Sequence, residues 1–199
     1  MAVYKLKTPI SEEDVRKLKV NDVIYVTGTM ITARDSAHKR ALDFFKDGKE
    51  IPIDLQGLAV FHCGPIVKKE DDKWTVVAAG PTTSTRMDLF EDEFIKAFKV
   101  RVVIGKGGMG RRTTEGMEKY GAVYGAFTGG AAVLAAKAIK KVRSVEWLDL
   151  GMPEALWILE VEDFGPLIVA IDAHGNNVFE NVQKQVKGNK QKIYERLGI

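Results

Sequence analysis

Apolar positions along the chain follow two periods. Short apolar runs at residues 23–26, 58–62, 74–79 and 100–104 predict strands, the last of them β-branched. Between the first two, Ala41, Leu42, Phe44 and Phe45 mark one face of a helix that Gly48 stops. Leu89, Phe90, Phe94, Ile95 and Phe98 recur at helical spacing after a turn-rich stretch. Residues 109–120 and the Ala-rich stretch 131–140 are predicted helical, and 142–148, 155–161 and 167–171 are predicted strands. A polar amphipathic helix over 178–197 closes the chain. No repeat or long linker interrupts this pattern, so it reads as one mixed α/β domain over residues 1–199.

Composition narrows what such a domain does. At 199 residues the chain buries an ample core. A net charge of +3, with basic residues spread along the chain, gives no stripe for nucleic acid. No stretch approaches the roughly 18 apolar residues of a membrane span, and residues 1–9 lack a hydrophobic signal core. A cytoplasmic protein is expected. The single cysteine, Cys63, makes no internal disulfide and cannot by itself hold an iron–sulfur cluster or a structural zinc. No metal ligand is therefore expected from this chain.

Three polar, glycine-bearing stretches each follow a predicted strand, and α/β proteins bind ligands at such strand ends. "IGKGG" offers Lys106 beside the backbone amides of Gly107 and Gly108. It resembles the nucleotide-clamping GXXG loop, but that loop joins two helices, whereas this one follows a strand. It is not a P-loop, because Lys106 is followed by glycine. "TGTMITARDSAHKR" puts Arg34 at a helix start, free to grip a carboxylate or tied to Asp35 in a surface pair. Asp35 suits the positive end of that helix, while His38 and Lys39 read as packing and solvated positions. "AAGPTTSTRMD" offers four hydroxyls, Thr82 to Thr85, and Arg86, as a helix cap or an anion site. Together these cations suit a small, doubly negative ligand, one cation at each end. No His/Ser/Asp triad or metal-ligand cluster is evident beside them.

"GTMITARDSAHKR", "HCGPIV", "AAGPTTSTRMD" and "VIGKGGM", in this order, resemble the β subunit of two-subunit, iron–sulfur-dependent class I fumarate hydratases. The tartrate dehydratase β subunits share the pattern. The resemblance runs from about residue 23 to the C-terminus. It implies a swivelling β/β/α domain and the reversible hydration of fumarate to (S)-malate. It implies an α subunit whose three cysteines carry a [4Fe–4S] cluster, with this chain as a free-standing β subunit in a dimer of αβ units. It assigns substrate-carboxylate contacts to Arg34, Arg86 and Lys106, and the base that removes the C3 proton to Thr82. Cys63 is then structural. The matching acid lies in the α portion, so the isolated chain is expected to be inactive. Arg111 and Arg112 line the approach or form a solvated helix face. Tartrate and methylated fumarate remain alternative substrates, and a non-catalytic anion- or RNA-binding module is the alternative of another class.

Overall fold

The computed structural model describes residues 1–198, excepting the side chain of residue 191. The chain opens with β1 (Val3–Lys7), α1 (Glu12–Arg16) and the long β2 (Val23–Thr32), followed by α2 (Asp35–Lys46) and β3 (Ala59–Phe61). A hairpin of β4 (Ile66–Glu70) and β5 (Lys73–Ala78) leads through a 3₁₀ turn, Ser84–Arg86, into α3 (Glu91–Phe98) and β6 (Val102–Gly105). Next come α4 (Arg111–Tyr120), β7 (Val123–Ala126), α5 (Ala132–Ala138), β8 (Ile139–Glu146), β9 (Leu156–Ile171) and α6 (Val178–Leu197).

The main sheet runs β1-β2-β3-β6-β7-β9-β8, and β2 also pairs with β9. That extra pairing closes β2, β3, β6, β7 and β9 into a circuit. Strands β2, β3, β6 and β7 are parallel neighbours; β9 returns antiparallel to β2 and β7. Alternate side chains of each strand therefore serve two cores. Ala59, Phe61, Val102, Ile104 and Val123 face inward with Trp157 and Phe164. Val60, Val103 and Tyr124 face outward, onto Phe94, Phe98 and Met117 of the helices. Helix α2 packs on α3 and α3 on α4, so one helical layer covers one side of the sheet. The expected α/β class, a mixed sheet with flanking helices, is what the structure shows.

Several predictions change. The stretch 27–32, expected as loop, is the second half of β2, with a bulge between Val26 and Gly28. The two strands expected at 155–161 and 167–171 are one 16-residue strand. Strand β5 belongs to the separate hairpin, so the threonine-rich stretch does not follow a strand of the main sheet.

Candidate functional site

Parallel β2, β3 and β6 end along one edge, and their continuations carry the site. Beyond β2, Arg34 is the extended residue that starts α2. Beyond β3 comes "HCGP", and beyond β6 comes Lys106. The threonine-rich stretch reaches this edge by backbone pairing. Thr82 N–H donates to the His62 carbonyl at 2.6 Å, and Ser84 N–H donates to the Lys106 carbonyl at 2.9 Å. Lys106 N–H donates to the Thr82 carbonyl at 3.4 Å, and Pro81 bridges to Cys63. The Thr82 turn and the Lys106 loop are thus zipped side by side.

Arginine pairing joins the remaining stretch. Arg86 Nη2 donates to Asp35 Oδ2 at 2.6 Å, across from the first turn of α2. Arg34 Nε lies 3.1 Å from Glu154 Oε1, and Glu154 also accepts from the Ser36 amide at 2.9 Å. The local Arg34–Asp35 pair that the sequence left open is not formed; each finds a more distant partner. A Cβ at Gly64 would come within 3.0 Å of Arg34 Nη1 and 2.7 Å of the Pro153 carbonyl, so glycine there makes room for the guanidinium. Lys106 is exposed, and the Arg86 side chain is 49% exposed. Thr82 is half-buried.

Arg34, Thr82, Arg86 and Lys106 therefore share one open edge. Thr85 instead caps the glycine loop, its hydroxyl donating to the Gly108 carbonyl at 2.7 Å. Arg111 and Arg112 pair with Glu115, Asp92 and Glu93 on the outer face of the helices, each at least half exposed. Cys63 is buried, and burial pushes its thiol up to about 12 against the pull of Arg34. The loop at Lys106 joins β6 to α4, not two helices, which removes the GXXG clamp geometry.

Beneath this edge lies a cluster that sequence reasoning missed. His38 and His62 converge on Glu91, with Nε2 to Oε2 distances of 3.4 and 2.9 Å, and all three side chains are fully buried. His38 Nδ1 lies 2.9 Å from the Arg34 carbonyl. His62 Nδ1 lies 2.9 Å from Ser84 Oγ, which is 3.0 Å from the Tyr124 hydroxyl. Tyr124 in turn reaches the Gly107 carbonyl at 3.2 Å. The cluster joins the backbones carrying Arg34, Thr82 and Lys106. Burial alone would neutralise Glu91, but the two imidazoles outweigh it and hold its carboxyl down at about 2. The sequence marks His38 as a packing position and shows no ligand cluster; the fold buries His38 against Phe94 and also brings it into this cluster of three potential ligands. Its three members come from α2, the end of β3 and α3, so no local spacing reveals them.

Arg34, Arg86 and Lys106 thus lie on the same sheet edge as Thr82. The chain belongs to the Fumarase C-terminus family, whose model matches residues 2–182, further toward the N-terminus than the motifs reached. It is 48% identical over 192 residues to the L(+)-tartrate dehydratase subunit beta of Escherichia coli (strain K12), covering 96% of this chain and 94% of that one. It is 43% identical over 183 residues to a provisionally named class I fumarate hydratase of Geobacillus stearothermophilus. That match spans 92% of this chain but 34% of the relative. Among the described residues, no helix is long and apolar enough to cross a membrane.

Proposed function

We propose that this chain is the β subunit of a hydro-lyase that adds water reversibly across the double bond of a four-carbon dicarboxylate. Fumarate and (S)-malate are the first reading. What carries it is the backbone zipper between Thr82 and Lys106 at an open, cation-lined edge. Arg34, Arg86 and Lys106 hold the substrate carboxylates, and two separated anionic ends fix the carbon chain over Thr82. In the dehydration direction Thr82 Oγ1 takes the C3 proton. A threonine hydroxyl is a weak base, and the neighbouring positive charges of Arg86 and Lys106 stabilise its anionic form. Arg86 and Arg34 pair with Asp35 and Glu154, so substrate competes with these carboxylates for the guanidinium groups.

Class I fumarate hydratases depend on an iron–sulfur cluster, and the residues here do not fit one. The single cysteine is buried, with its thiol raised by that burial. We assign the [4Fe–4S] cluster to an α subunit that closes the open edge, in a dimer of αβ units acting in the cytoplasm. The relatives named as subunits support a partner, since the E. coli protein matches this chain nearly end to end. That same match favours a second substrate reading, L(+)-tartrate.

The deciding experiment is an anaerobic assay of the chain co-purified with its cysteine-bearing partner, offered fumarate and L(+)-tartrate in turn. Activity is expected only in the complex. Thr82→Ala is expected to lower kcat by about 10²–10⁴-fold without loss of the complex. Full activity in the variant, or in the isolated chain, overturns the reading. Turnover of tartrate but not fumarate selects the second substrate.

A further inference from the structure

The buried His38–His62–Glu91 cluster is incompletely satisfied. His38 Nε2, His62 Nε2 and both carboxylate oxygens of Glu91 are sealed from solvent and lack an aligned hydrogen-bond partner. The ring nitrogens are near enough to Glu91 Oε2, at 3.4 and 2.9 Å, but their N–H directions do not aim at it. Leaving such groups unpaired in a core costs several kcal/mol each, so the arrangement calls for a cation between them.

Proton bookkeeping on the outer nitrogens sharpens this. His38 Nδ1 faces a backbone carbonyl, which only accepts, so Nδ1 carries the ring proton. A neutral His38 then turns the lone pair of Nε2 toward the carboxylate. His62 Nδ1 can donate to Ser84 Oγ, the Ser84 hydroxyl to Tyr124, and Tyr124 to the Gly107 carbonyl. In that wiring every outer donor has an acceptor, while both Nε2 lone pairs and both Glu91 oxygens, all sealed from solvent, are left without a protein partner. A metal-bound histidine characteristically donates its other ring N–H to a carbonyl or hydroxyl in this way.

We propose that His38, His62 and Glu91 form a closed structural site for a divalent cation of the zinc class, bound by two imidazole nitrogens and a bidentate carboxylate. The ligand atoms of all three lie within 4.8 Å of one another. Two ligands each about 2.1 Å from one ion stand about 3.0–3.4 Å apart, close to the 3.4 and 2.9 Å that separate each Nε2 from Glu91 Oε2. Imidazole and carboxylate donors suit zinc, and full burial of all three leaves no position open to substrate. The ion stitches the first turn of α2, the end of β3 and the first turn of α3 together, directly under Arg34 and the Thr82 turn. The assignment does not depend on the hydro-lyase reading.

The test is elemental analysis of the full chain, produced without a partner in zinc-supplemented medium and purified without chelating resin. About one zinc per chain is expected, with iron measured separately in the same sample. Glu91→Gln and His38→Ala are expected to lose it. Because either variant can fail to fold, the wild-type chain is also stripped with a chelator and titrated with Zn²⁺ and Co²⁺. Zinc at 100-fold over its dissociation constant is expected to raise Tm by about 5–10 °C, and Co²⁺ to develop tetrahedral ligand-field bands. A folded wild-type chain that carries no divalent metal and shows no shift with zinc overturns the proposal. It would mean that a proton on His38 fills the space.

Discussion

Gly105 decides whether the buried cluster can exist. A Cβ there would lie 1.9 Å from Ser84 Oγ and 3.2 Å from His62 Nδ1, so the last residue of β6 has to be bare for Ser84 to sit on the histidine. Gly105→Ala is expected to destabilise the chain by about 1–3 kcal/mol in denaturant unfolding, the usual cost of forcing atoms into a packed core. Adding Ser84→Ala removes the nearest atom and should recover part of that loss, a coupling that a double-mutant cycle reads directly. A Gly105→Ala variant as stable as wild type would show that Ser84 is not held where it stands. At this scale the cations were legible, because Arg34, Arg86 and Lys106 sit in turn-forming stretches where a charge has no packing role. His38, His62 and Glu91 were not. His38 runs on into Lys39 and Arg40 and Glu91 into Asp92 and Glu93, so neither stands out locally, and only the packing of α2 and α3 over β3 brings them to His62.

Among the elements, the ends matter more than the middles. Helix α6 starts at Asn177, which is buried and accepts from the amides of Phe179 and Glu180 at 2.9 and 3.3 Å. Its amide nitrogen also donates to the Met109 carbonyl and to Thr114 Oγ1, tying the helix to the segment after the glycine loop. Asn177→Ala removes the cap and leaves buried acceptors unmet, for a loss of about 2–3 kcal/mol, seen as a lowered denaturant midpoint. At the opposite end, the Asp22 carboxylate accepts from the Ala2 amide at 2.7 Å and the Lys19 amide at 3.0 Å. The Ala2 bond, more than any other contact, holds its pKa below the ordinary aspartate range. A carboxyl lowered in the folded chain adds stability above its unfolded pKa, near about 4, and loses it as pH falls through the folded value. Asp22→Asn should therefore cost stability at neutral pH, and the gap to wild type should close in acid. Element boundaries were legible where apolar residues repeat, as over α6, α2 and α3. They failed at β2 and β9 for a common reason. Gly28, at φ +113° against Thr8, and the Gly165–Pro166 pair look like turn residues, yet each sits at a bulge inside a continuing strand.

For the molecule as a whole, the question is whether the two cores unfold together. One lies inside the strand circuit and the other under the helices, and each strand of the circuit contributes alternate side chains to both. Strand β9 pairs with β2, β7 and β8, so peeling off the last quarter of the chain would open the sheet at three places. Helices α2 to α4 cannot detach alone, because Ile31, Val60, Val103 and Tyr124, which they cover, are rooted in the same strands that bury Phe61 and Ile104. We expect one cooperative transition in scanning calorimetry, with near-ultraviolet and far-ultraviolet dichroism melting in step. The enthalpy for a unit of this length is about 140 kcal/mol near 60 °C. Two resolved peaks would mean that the helical layer separates from the barrel-like sheet. The anion edge, which draws on both the strand ends and the first turn of α2, would then come apart before the core does.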